Sequence, residues 1–143
     1  MLKRAIRIMI PASFVLLAAC APKGENGRWY TQAQVEAGKT VFLENCASCH
    51  GRKAQGRVMN WKKPDKNGNY PPPPLNGTAH AWHHSMKVLK HQIRKGGIPN
   101  GGVMPGFENT LSEEQIESAI AYFQSFWPDE TYQAWLKRGG TSQ

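Results

Sequence analysis

Apolar and polar positions divide the chain into a leader, a short polar stretch and a helical region broken by long loops. Lys3, Arg4 and Arg7 open it, and a mostly apolar run from Ile8 to Ala19 follows, too short to span a bilayer comfortably. Ala21 to Arg28 has no apolar period and carries Pro22, Gly24 and Gly27, as a flexible tether does. A helical period begins at the capping box Thr31-Gln32-Ala33-Gln34 and puts Val35, Gly38 and Phe42 on one predicted helix. Ser85 to Lys95 repeats the period, with Met86, Leu89 and Ile93 inward and Lys87, Lys90, Arg94 and Lys95 toward solvent. A second capping box, Ser112 to Gln115, opens a helix with Ile116, Ala119, Ile120 and Phe123 on one face and Pro128 as its stop. Tyr132, Trp135 and Leu136 predict one more short helix, ended by Gly139. No stretch is rich in strand formers, so the expected class is all-α.

The leader changes how the composition is read. A positive start and a short apolar run form a secretory signal peptide over residues 1–19. This leaves a tether over 20–30 and one domain over 31–138, with no room for a second. Lys and Arg outnumber Asp and Glu by 18 to 10, but three of those cations belong to the leader, and the remainder carries a formal +5. A moderately basic surface of this kind suits an acidic protein or anionic lipid, and export excludes nucleic acid as the expected partner.

The cysteines are Cys20, Cys46 and Cys49, an odd number that cannot all pair within the chain. Cys20 ends Leu17-Ala18-Ala19-Cys20, which resembles the lipobox of bacterial lipoproteins. That resemblance implies cleavage before Cys20, lipid on its thiol and a membrane anchor on the periplasmic side. With Ala21 following, the outer membrane is implied if the source is Gram-negative. Ordinary cleavage near Ala19, or an uncleaved anchor, are the plainer alternatives. From Cys20 to Thr31 the chain could reach at most roughly 40 Å.

Cys46-Ala47-Ser48-Cys49-His50 is the attachment pattern for one covalent haem c. Two thiols one helical turn apart reach the vinyl groups on one porphyrin edge, and the adjacent imidazole stands under the iron. A redox dithiol would be expected beside a βαβ pattern, which is missing. A zinc site would have to recruit its other ligands from His80, His83, His84 and His91. The second axial position needs a soft or imidazole donor downstream. Met104, in Gly101-Gly102-Val103-Met104-Pro105-Gly106-Phe107, supplies a thioether where glycines allow close approach and Pro105 stiffens the turn. Met59 lies in a polar, Lys-rich loop and Met86 at helical spacing, so both read as other than ligands. His80, His83 and His84 are the alternative, giving bis-histidine ligation.

With Gly38 and Phe42 ahead of the haem motif and Tyr122 in Ala119-Ile120-Ala121-Tyr122-Phe123, the chain resembles the class I (monohaem) cytochrome c family from Thr31 to about Trp127. The resemblance implies a small cytochrome c fold in which the N- and C-terminal helices cross around the haem at the small residue Gly38. Pro73-Pro74-Leu75-Asn76-Gly77 resembles the family's Pro-x-Leu-x-Gly, which implies that the Pro73 carbonyl orients His50 and that Leu75 touches haem. Gly51 to Tyr70 departs from the family as an insertion. Axial sites filled by His50 and Met104 leave no position for substrate, so the implied role is an electron carrier between redox proteins, not an enzyme. The alternatives are a haem subunit of a larger oxidase or reductase complex, and a haem sensor or peroxidase-like protein with a labile distal ligand. The cationic side of Ser85 to Lys95 is equally a solvated face and a docking site for an acidic partner.

Overall fold

The computed structural model describes residues 24–142. The expected signal peptide, Cys20 and the expected tether up to residue 23 lie outside the described residues. Five α-helices follow in order: α1 (Gln32–Asn45), α2 (Ala47–His50), α3 (Met86–Lys95), α4 (Glu113–Gln124) and α5 (Asp129–Lys137). Among the described residues there is no β-strand, and no helix is long and apolar enough to cross a membrane.

Both predicted capping boxes form. Thr31 accepts from the Gln34 amide and Ser112 from the Gln115 amide, while each glutamine side chain reaches back to its cap. These reciprocal bonds satisfy amides that would otherwise lack partners in the first turn. The two helices so begun, α1 and α4, form the central packing of the molecule. Phe42 is 1% exposed and Ile120 0%, and Phe42 meets Tyr122 at a ring separation of 5.2 Å. They approach closely at Gly38, where an added Cβ would sit 1.8 Å from the Ser118 carbonyl oxygen. Only the absence of a side chain lets the backbones come that near.

Packing contacts among the described residues continue beyond the expected 31–138 at both ends. Arg28 pairs with Asp129 at 2.6 Å and lies 4.1 Å over the Tyr132 ring. The Trp29 amide donates to the Tyr132 hydroxyl at 2.8 Å, and Tyr30 is buried. The tether therefore ends before Arg28, because this Arg-Trp-Tyr run has an aromatic surface on α5 to pack against. At the other end Gly139 turns the chain at φ 75°, and the Met86 amide donates to the Gly140 carbonyl at 2.7 Å. α5, expected as one more short helix packing on the domain, contributes Tyr132 and Trp135, both fully buried.

The expectation for α3 needs correction. Lys90 does not face solvent: its side chain is 10% exposed and its ammonium bonds Glu113 at 2.9 Å and Glu117 at 3.0 Å. Burial pushes its pKa down, and the two carboxylates more than reverse that, leaving it raised. Arg94 also pairs with Glu113, and Lys95 with Glu108. A single-helix pattern cannot show the carboxylates of α4 that turn this face into an internal ion-pair network.

Candidate functional site

The junction of α1 and α2 presents Cys46, Cys49 and His50 in one turn. The Cys49 and His50 amides both donate to the Cys46 carbonyl, at 3.1 and 2.9 Å. Both cysteines are free thiols, Cys46 half-buried and Cys49 exposed. Burial first, and Cys49 beside it second, push the Cys46 thiol up to about 11, so it keeps its proton at neutral pH.

His50 is 8% exposed. Its Nδ1 lies 2.9 Å from the Pro73 carbonyl oxygen. A carbonyl only accepts, so the proton resides on Nδ1 and the Nε2 lone pair is left for a ligand. Burial pushes the imidazole pKa down, and the bond to Pro73 partly opposes this; the neutral, ligating form is the one stabilised. Pro73 is itself held by its neighbours. Ala54, fully buried at φ 56°, accepts through its carbonyl from the Leu75 and Asn76 amides at 2.7 and 3.1 Å. Leu75 is half-buried against the core, and its carbonyl receives Trp127 Nε1 at 2.7 Å. Tyr122 in α4 donates to the Arg52 carbonyl at 2.9 Å. The C-terminal helical region thereby holds both sides of the loop that orients His50.

Met104 lies on a loop strapped to the end of α3. The Gly97 amide donates to the Met104 carbonyl at 2.9 Å, and Phe107 and Glu108 amides cap the Ile93 and Arg94 carbonyls. Gly96 is required here: its φ is 71°, and an added Cβ would stand 2.4 Å from the Met104 oxygen. Gln92 Nε2 is 3.7 Å from the Met104 sulfur, a contact without a signal in the sequence. Of the other methionines weighed as ligands, Met86 is 2% exposed within the core and Met59 lies fully in solvent. His80, His83 and His84 border a short 3-10 turn, Ala81–His83, ahead of α3. His80 lies tilted against Trp61 and edge-on to His84 at 5.3 and 5.6 Å, and the His84 carbonyl accepts from Trp135 Nε1 at 2.8 Å. Among the described residues no group of three His, Cys, Asp or Glu side chains is arranged to hold a metal ion, so the zinc alternative has no geometry here.

The donor set fits haem c: two unpaired thiols one turn apart, an imidazole with Nε2 free, and a half-buried thioether on a glycine-bounded loop. Residues 33–123 match the family model described as cytochrome c oxidase, cbb3-type, subunit III. The chain belongs to this family. Among similar proteins, the cbb3-type cytochrome c oxidase subunit CcoP of Azospirillum brasilense is 33% identical over 97 residues, which is 68% of this chain and 30% of that one. Cytochrome c6 of Synechocystis is 30% identical over 90 residues, 63% of each chain. A solved cytochrome c6 from the diatom Phaeodactylum tricornutum is 27% identical, covers 71% of this chain and 98% of its own, and superposes with a TM-score of 0.44. The chain thus spans under a third of the CcoP subunit. It is a c-type cytochrome domain with one covalent haem c, in which Cys46 and Cys49 have the attachment spacing. Bound haem c supplies one-electron exchange at its iron.

Proposed function

We propose that this chain is a one-electron carrier whose haem is attached at Cys46 and Cys49 and held axially by His50 and Met104. Leu75 packs on the porphyrin, and Pro73 orients His50. The observation that supports the reading is the 2.9 Å contact between His50 Nδ1 and the Pro73 carbonyl, which leaves the other ring nitrogen available to an iron. A thioether opposite that imidazole favours ferrous iron and raises the potential, so the carrier works toward the oxidising end of a redox chain. Met104→Ala tests the axial set. It keeps the covalent haem, loses the red thioether-to-iron band and lowers the midpoint potential, whereas Met59→Ala does none of these. An unchanged potential in Met104→Ala would move the ligand to His80, His83 or His84.

Lipid on Cys20 would hold the domain at the periplasmic side of a bacterial membrane. Cys20→Ser then releases the haem-loaded domain from membranes, and retention after a high-salt wash would count against the anchor. A second reading, supported by the oxidase subunits among the relatives, is that the haem is one step within a larger complex. Co-purification of other redox subunits after mild detergent extraction distinguishes it from a free carrier.

A further inference from the structure

Residues 51–70, expected as an insertion relative to the resembled family, hold the charge asymmetry of the chain from Cys20 onward. Arg52, Lys53, Arg57, Lys62, Lys63 and Lys66 stand against Asp65 alone, a formal +5. This equals the whole excess of the chain from Cys20 onward, so the remaining residues balance. All six cations are exposed, and none forms an ion pair among the described residues. The one carboxylate is occupied elsewhere: Asp65 Oδ1 accepts from the Asn67 and Asn69 amides at 2.8 and 2.9 Å. The contrast with α3 is direct, because that helix has three of its cations in ion pairs.

The charged loop also has a fixed place. Arg57 Nη1 donates to the Ser48 carbonyl at 2.6 Å, inside the cysteine turn, and the Gly56 amide donates to the His50 carbonyl at 2.7 Å. The loop is therefore clamped beside the exposed Cys49, at the edge where the porphyrin is attached. Between the cations sit Val58, 45% exposed, and Met59, 103% exposed. Exposed apolar residues flanked along the chain by uncompensated charge suit a transient protein interface, in which charge steers the encounter and apolar contact excludes water.

We propose that residues 51–70 form the docking surface for an acidic redox protein, which would meet the haem at its attached edge. This rests on the electron-carrier reading above. An acidic protein is favoured over an anionic bilayer because the charged loop is bonded to the cysteine turn that would carry the haem, and a lipid surface there would hold a partner's redox centre away.

The test compares the haem-loaded wild type with Lys62→Glu/Lys63→Glu/Lys66→Glu and with a control of equal net change, Lys39→Glu/Lys87→Glu/Lys137→Glu. Ferricyanide oxidation of the ferrous protein at low salt is expected to slow about tenfold or more in the loop variant, with its salt dependence lost, and by less than about threefold in the control. Oxidised flavodoxin, an acidic redox protein, is expected to shift amide resonances of residues 57–66 in the wild type and not in the loop variant. Equal slowing in both variants would overturn the proposal in favour of overall charge. So would loss of flotation with phosphatidylglycerol vesicles in the loop variant while its ferricyanide and flavodoxin behaviour is unchanged, which would make the loop a lipid-facing surface. A high-spin, cyanide-binding ferric wild type would instead sink the carrier reading, and the flavodoxin shifts are read independently of the iron's ligands.

Discussion

Replacing Gly38 with alanine sets two effects of opposite sign against each other. In an exposed helix interior the change would stabilise by about 0.8–1.0 kcal/mol, because glycine loses more backbone freedom on folding than alanine. At Gly38 the new methyl would lie 1.8 Å from the Ser118 oxygen, 2.4 Å from its carbonyl carbon and 3.1 Å from the Ala119 nitrogen. All three are backbone atoms of α4, so no rotamer change relieves the contact, and α4 must move away by more than an ångström. Overpacking costs typically about 1–3 kcal/mol when side chains can give, and a rigid neighbour puts this site at or above that range. Separation also loosens Phe42, Ile116, Ile120 and Tyr122, since a gap of about 0.5–1 Å forfeits roughly a quarter to a half of a dispersion contact. The net expectation is destabilisation by about 2–4 kcal/mol, or on the order of 10 °C in Tm. Thermal unfolding of the haem-loaded protein, followed by circular dichroism and Soret absorbance, measures it. A Tm equal to or above the wild type would refute the crossing, because propensity alone would then decide the sign.

Gly96→Ala is expected to disturb the Met104 ligand without touching it, since the methyl would press on the Met104 carbonyl and the backbone sits at φ 71°; weakening of the red band with the covalent haem retained is the readout. Glu113 gives a pH effect. Hydrogen bonds from Arg94 and then Lys90 hold its carboxyl below the usual range, with burial opposing. The lowered folded-state pKa means that its contribution is complete above the unfolded value of about 4.3 and lost as pH falls through the folded one. The carboxylate is 47% exposed, so the effect is under about 1 kcal/mol. The Tm difference between wild type and Glu113→Gln should be constant at neutral pH and shrink in acid; a difference that grew on acidification would contradict the pairing.

How much could be read in the chain depended on the range of the interaction. The all-α class, both capping boxes and the inward faces of α1 and α4 were legible, because each rests on contacts within a few residues. The family resemblance brought His50 and Pro73 together on paper, and the structure places them 2.9 Å apart. Long-range pairing stayed hidden. Nothing near Lys90 announces Glu113 and Glu117 of another helix, and nothing in Arg28-Trp29-Tyr30 announces Tyr132 about a hundred residues later. Gln92 likewise looks like an ordinary polar position on α3, and only the fold carries it to the Met104 sulfur. The stretch over 51–70 is visible as a lysine- and glycine-bearing segment, but its place beside the cysteine turn follows from the bonds of Arg57 to Ser48 and of Gly56 to His50.

The central claim is that the chain's own imidazole and thioether fill both axial positions of its haem. The red region of the ferric absorption spectrum, recorded before and after cyanide addition, tests it most directly. A low-spin spectrum with a weak thioether-to-iron band and slow cyanide uptake is the predicted result, and a high-spin spectrum that converts readily with cyanide would contradict it.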